Sequence, residues 1–195
     1  MLSKEEILWR HLLVEAVEHE NRRSSISELA GRFGYASSTV HRSLVVPRQI
    51  GAVESLRRGL VVRDPMRLLL HWAAKRRLQR DHPFKVHTGM TPIEVQEHLP
   101  DDAVVTGAAA YGRRYRNDVA DFPIVYCYHP DPDAVLARVP DKLGSPDLVV
   151  LDPDPFLADY GRIASVPQMY VDLFGTPGWE AQRFLHRMNE RLEMA

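Results

Sequence analysis

The chain has 195 residues, 45% of them hydrophobic, enough to bury an ordinary core, and a net charge of −1. Its longest uncharged apolar runs, residues 124–128 and 148–151, fall far short of the roughly 20 residues a membrane-spanning helix needs, and the opening MLSKEEILWR lacks the pattern of a secretory signal, so a soluble, cytoplasmic chain with no membrane partner is expected. The single cysteine, Cys127, has no disulfide partner and lies in the apolar run PIVYCY, where a buried small side chain is expected.

Ser3 followed by Glu6 has the form of a capping box, and Ile7, Leu8, His11, Leu12 and Ala16 fall on one face, so a first helix is predicted to about His19. The polar stretch Glu20 to Ser25 ends it. Ile26, Leu29, Ala30 and Phe33 predict a short amphipathic helix stopped by Gly34, and Ser37 to about Val46 a further helix with Val40 and Leu44 inward and Ser38, His41 and Arg42 outward. Pro47 is expected to kink or end that helix. Ala52 to Leu56 and Leu60 to Arg63 read as two strands around a basic tip, Arg57, Arg58 and Gly59; Asp64 and Pro65 then open a helix through about Arg80. Beyond Asp81, short strands and helices alternate: strands at Val86 to Thr88, Ala103 to Thr106, Phe122 to Tyr128 and Leu148 to Leu151, and helices opening at Thr91, over Gly107 to Tyr115, Pro167 to Phe174 and Gly178 to Met194. The expected fold is mixed, α+β or α/β: a winged helix-turn-helix over residues 1–80 and an acidic α/β domain on a small mixed sheet over 81–195, with the boundary between Arg80 and Lys85.

The charge divides along the same line. Residues 1–80 hold 15 Lys+Arg against 8 Asp+Glu, a balance of +7, and residues 81–195 hold 10 against 18, a balance of −8. Such asymmetry suggests a half that meets a polyanion, against the alternative of an arginine excess on a solvated surface. In a helix-turn-helix the first helix needs a small residue at the crossing, the turn a glycine and the second helix an apolar anchor; Ala30, Gly34 and Val40 meet those needs. Double-stranded DNA is therefore the expected partner. Ser37, Ser38, Thr39, His41 and Arg42 are the candidate groove-facing residues, with Arg48, Arg57 and Arg58 on backbone or wing contacts. Arg76, Arg77 and Arg80 are candidates either for flanking phosphates or for a solvated helix face.

Three stretches, RLLLHWA (67–73), VVTGAAAYGRRY (104–115) and SVPQMYVDLFGTPGWEAQRFLHRM (165–188), resemble the AbiEi-type antitoxin and transcriptional-regulator family of type IV toxin-antitoxin systems. The resemblance implies a DNA-binding repressor whose C-terminal domain is not catalytic, encoded beside a nucleotidyltransferase-like toxin that is a possible protein partner. The residues agree in part. A nucleotidyltransferase needs a Gly-Ser turn and clustered carboxylates, but Gly107 precedes Ala108, and the strand ending at Tyr128 carries no acid, although Asp118 and Asp121 precede it.

Asp131, Asp133, Asp152 and Asp154 flank prolines and read as turn or cap residues. His82, His87 and His129 lack zinc spacing, and Asp172 reads as a salt-bridge residue. No metal, cofactor or catalytic residue is assigned. The expected function is a sequence-specific, antitoxin-like repressor; the alternatives are a protein that acts chiefly by binding a toxin, or a nucleic-acid or nucleotide-processing enzyme. No heptad seam demands a homodimer, which stays open.

Overall fold

The structure is a computed structural model that describes residues 1–116 and 122–193; Asp118 and Asp121 lie outside the described residues. It is a mixed α+β fold with two small sheets. Helix α1 (Lys4–Glu18) opens on the Ser3/Glu6 capping box, with Ser3 N–H donating to Glu6 Oε2 at 2.9 Å. Then come β1 (Arg23–Ser24), α2 (Ile26–Phe33), α3 (Ser37–Ser43), α4 (Val45–Gln49), β2 (Val53–Ser55), β3 (Leu60–Val62) and α5 (Pro65–Lys75). Helix α2 has its own capping box, Ser25 with Glu28, and stops at Gly34, whose φ of 64° an L side chain rarely adopts. The three strands pair antiparallel in the order β1-β3-β2.

The second sheet, β4-β7-β6-β5, joins β4 (Phe84–Val86), β7 (Leu148–Leu151), β6 (Val125–Tyr128) and β5 (Val104–Thr106), with only the central β7/β6 pair parallel. Helices α6 (Pro92–His98), α7 (Gly107–Tyr115), α8 (Pro132–Leu136), α9 (Val166–Phe174) and α10 (Trp179–Glu193) surround it. Strand β7 is buried along its whole length, which suits its unbroken Leu-Val-Val-Leu run. Among the described residues no helix is long and apolar enough to cross a membrane.

Four local expectations are corrected. The break in the third helix falls at Leu44, and Pro47 lies buried inside α4, in its first turn, where a proline's missing N–H costs no hydrogen bond. Helix α5 stops at Lys75 rather than near Arg80, and a short 3₁₀ turn, Leu78–Asp81, follows. The fourth strand starts two residues early, at Phe84. Strand β1 was hidden in the polar stretch after α1: two residues carry no readable alternation, and only pairing with Leu60 and Val61 makes them a strand.

Helix α9 is the hub, packed against α1, α5, α7 and α10, and one continuous hydrophobic cluster runs from Leu8, Trp9 and Trp72 through Val171 to Tyr111 and Phe184. Buried charge crosses this core. Arg10 of α1 grips Asp154 with two parallel bonds of 2.6 and 2.7 Å and reaches Gln168 at 3.3 Å. Arg76, just past α5, pairs with Asp81 and, at 3.1 Å, with Asp172 of α9. Asp172 also accepts from Thr106 Oγ1 at 2.7 Å, Tyr128 OH at 2.8 Å and Gln168 Nε2 at 3.0 Å. Burial pushes the Asp172 carboxyl up from its ordinary value, while Arg76 and these donors pull it back.

Arg76 is therefore neither a phosphate contact nor part of a solvated face: it is buried and fully engaged. Asp172 is the salt-bridge residue expected of it. The other acids near prolines divide. Asp131 caps α8, accepting from Asp133 N–H at 3.0 Å, and Asp152 pairs with His82 at 2.9 Å, whereas Asp154 is buried on Arg10. Cys127 is buried in β6, and desolvation pushes its thiol up to about 12.

Loss of Asp172 leaves Arg76 with Asp81 alone and strips the acceptor from Thr106, Tyr128 and Gln168, and breaking a buried ionic network of this kind costs roughly 3–5 kcal/mol. Asp172→Ala is expected to lower the unfolding free energy by about that amount, read from urea denaturation with an unchanged slope; a loss below about 1 kcal/mol would contradict the buried pairing.

Candidate nucleic-acid interface

Helices α2 and α3 meet at the Gly34 turn. Tyr35 N–H closes it by donating to Ala30 O at 3.0 Å, and Val40 and Leu44 are fully buried beneath α3. With those anchors inward, Ser37, Ser38, His41 and Arg42 stand exposed and Thr39 half-exposed. Burial alternates with helical period across both short helices: Val40, Ser43, Leu44 and Pro47 form the inner seam, and Ser37, Ser38, His41, Arg42, Val45, Val46 and Gln49 the outer stripe. The hydrogen bonds Leu44 N–H to His41 O (3.2 Å) and Arg48 N–H to Leu44 O (3.0 Å) carry the chain across the break, so α3 and α4 present one bent surface.

Helix α4 leads directly into β2, with Ala52 N–H bonded to Pro47 O at 2.9 Å. The β2–β3 turn carries Arg57 and Arg58, both exposed, and folds back at Gly59. Gly59 has φ of 91°, and a Cβ there would stand 2.4 Å from the carbonyl oxygen of Ser24, so the close approach of β1 to the hairpin depends on the missing side chain. Arg48 is half-buried, with its Nε lacking a hydrogen-bond partner among the described residues.

The ion pairs sort the basic residues. Arg10, Arg32, Arg63, Arg67, Lys75 and Arg76 each have a carboxylate partner. Arg22, Arg23, Arg42, Arg48, Arg57 and Arg58 have none among the described residues; they lie before and in β1, on α3 and α4, and at the hairpin turn. The acids of the same half are nearly all engaged: Glu6 and Glu28 in capping boxes, and Glu5, Glu15, Glu18, Glu54 and Asp64 with Lys75, His19, Arg114, Arg63 and Arg67. Three of the six paired cations use acids beyond residue 80: Arg10 uses Asp154, Arg32 uses Asp159 and Arg76 uses Asp81 and Asp172. The +7 balance thus overstates the free charge of this half; six of the cations without a carboxylate among the described residues lie on the candidate elements or just before them, and Lys4, Arg77 and Arg80 lie elsewhere.

The C-terminal half supports this surface from behind. Phe156 packs edge-on against Phe33 and Tyr35 with ring centroids 5.0 and 6.4 Å apart, so residues 154–160 brace the α2–α3 turn. His11 lies in the same junction, 5.4 Å from the Phe33 ring and with its Nδ1 3.3 Å from Tyr160 OH. The eight groove, backbone and wing candidates are thus present on α3, on α4 or at the turn, whereas Arg76, Arg77 and Arg80 lie after α5, with Arg76 buried. Missed were Val45 and Val46, which complete the outer stripe, and Arg22 and Arg23, whose placement depends on β1. The outward period of Ser38 and Arg42, carried one turn further, points to Val45.

Among the described residues no group of three His, Cys, Asp or Glu side chains stands ready to hold a metal ion. His129 meets Asp102 at 3.1 Å and the Asp131 carbonyl at 2.6 Å, and His87 meets Asp147 at 3.0 Å. Elsewhere, an open groove of about 1080 Å³ lies among α6, α7 and α10, with Ile93 and Trp179 exposed on it and Arg183 stacked over Trp179 at 5.3 Å. Compared with known proteins, the chain matches no family model, no curated protein and no solved structure.

Burial and the nearby Arg32 lower the His11 pKa from 6.5 to about 4. An unfolded chain therefore takes up this proton first as pH falls, and the stabilising contribution of neutral His11, complete above about 6.5, is lost progressively down to about 4. His11→Phe is expected to flatten stability against pH in that window relative to the parent, measured by urea midpoints at a series of pH values; parallel curves would contradict it.

Proposed function

We propose that the chain is a winged helix-turn-helix DNA-binding regulator, with α2 and α3 as the paired helices, the β2–β3 hairpin as the wing, and residues 81–195 as a regulatory or partner-binding domain. One observation carries the reading. Apart from Arg77 and Arg80 after α5, the arginines left without a carboxylate among the described residues of this half cluster on α3 and α4, at the hairpin turn and at or just before β1, while nearly every acid of that half is held by a cap or an ion pair. A surface so composed suits the phosphates and groove edges of a duplex. The order of elements, helix, strand, two helices and hairpin with the strands arranged β1-β3-β2, supports the same reading. Ser37, Ser38, Thr39, His41 and Arg42 take the groove, and Arg48, Arg57 and Arg58 the backbone or the neighbouring minor groove.

Kinship with the AbiEi-type antitoxins belongs to this proposal and rests on the three sequence stretches alone. It makes the natural target the chain's own upstream DNA and the regulator a repressor. A second reading, capture of a cognate toxin protein by the C-terminal half, is favoured by Ile93 and Trp179, which are 69% and 60% exposed on one groove.

Arg42→Ala and Arg58→Ala are each expected to weaken binding to the upstream duplex about tenfold or more at physiological salt. The slope of log affinity against log salt should fall by about 0.9 for each phosphate contact removed. Fluorescence anisotropy across a salt series reads both, and wild-type affinity in both variants would overturn the reading. For the second reading, Trp179→Ala is expected to abolish co-purification with the product of the adjoining gene while leaving duplex binding unchanged; undiminished co-purification would remove the groove from consideration.

A further inference from the structure

We propose that Val45 discriminates sequence, reading the C5-methyl group of a thymine in the major groove. The proposal rests on the DNA-binding reading of α3 and goes beyond it by naming the residue and the chemical group it recognises.

Three observations lead there. First, the outer stripe of α3 and α4 consists of hydrogen-bonding side chains, Ser37, Ser38, His41, Arg42 and Gln49, except for Val45 and Val46, which are 45% and 41% exposed. Second, Val45 occupies the middle of that stripe. At about 100° per residue it lies one turn from His41 and Arg42 and two turns from Ser38, whereas Val46 falls at the edge. Third, Arg42 and Arg48 stand on either side of it in the chain, neither with a carboxylate partner among the described residues, so the surface around the valine favours a polyanion.

An exposed β-branched side chain has nothing to offer a phosphate. In the major groove, however, the thymine methyl is the apolar feature of a base edge, and a short, stiff side chain is what meets it without losing rotamer freedom. Arg42 and the serines supply hydrogen bonds to neighbouring edges, and Val45 supplies the contact that distinguishes thymine from cytosine at one position.

The test uses the full chain. Duplexes preferred by the chain are selected from a random pool, and each thymine of the selected sequence is replaced singly by deoxyuridine, which removes one methyl and no hydrogen-bonding atom. For the parent, replacement at one position of each site is expected to weaken binding three- to fivefold, the effect of about one buried methyl group. Val45→Ala is expected to bind the thymine duplex about as weakly as the parent binds the deoxyuridine duplex, and to discriminate between the two no longer. Val45→Thr, which keeps one methyl, is expected to fall between them.

A parent indifferent to every deoxyuridine replacement, yet still selecting a duplex, overturns the proposal and leaves the DNA-binding reading standing. Discrimination that survives in Val45→Ala overturns it in favour of another residue. Altered sedimentation of Val45→Ala, with discrimination intact, overturns it in favour of a contact between copies of the chain. If no duplex is enriched at all, the DNA-binding reading falls and the proposal with it.

Discussion

Two arginines taken out of water organise this protein. A guanidinium moved into a protein interior must be matched in charge and in hydrogen-bond geometry, and, beside Asp81 as the near partner of Arg76, the carboxylates matching Arg10 and Arg76 come from the other end of the chain. Asp154 answers Arg10 with a parallel pair of bonds, and Asp172 answers Arg76 while accepting from Thr106, Tyr128 and Gln168. The residues so joined lie on α1, after α5, on β5, on β6, before α9 and on α9 itself. A rearrangement that separated α9 from α1 and α5 would expose or unmatch several of these groups together.

That constraint reaches the candidate interface through a short segment. Asp154 is fixed on Arg10, Phe156 two residues later lies against Phe33 and Tyr35, and Asp159 reaches Arg32 of α2 at 3.7 Å. The α2–α3 turn is therefore held by its own glycine and by the C-terminal half. In the proposed function this bracing aims α3, and it gives any partner of the C-terminal half a physical connection to the helix that would meet DNA: the position of residues 154–160.

Charge was only partly legible from counting. The imbalance between the two halves was visible in the sequence, but three of the cations behind it are neutralised by acids beyond residue 80, and Glu18 is matched by Arg114. What the count could not separate was an arginine in an ion pair from an arginine facing solvent, since Arg76 and Arg77 are neighbours, one buried and one exposed. The candidate set on α3 was more readable because its inner seam, Val40 and Leu44, is apolar and helical in period, which sends the intervening residues outward whatever they are.

The sequence by itself determined the features that depend on near neighbours. These are the capping boxes at Ser3, Ser25 and Thr91, the stop at Gly34, the proline-opened starts of α5 and α6 and the outward direction of Ser38 and Arg42. In each case the interaction that decides the conformation spans four residues or fewer, so local spacing carries it. The tertiary structure alone decided that Arg23 and Ser24 form a strand, that the chain bends at Leu44 with Pro47 kept inside a helix, and that Arg10 and Arg76 face inward. A two-residue strand exists only through its partner, and a buried charge is tolerable only beside its counter-charge. Asp81 apart, those partners lie from tens of residues to 144 residues away in the chain, beyond the reach of any local pattern.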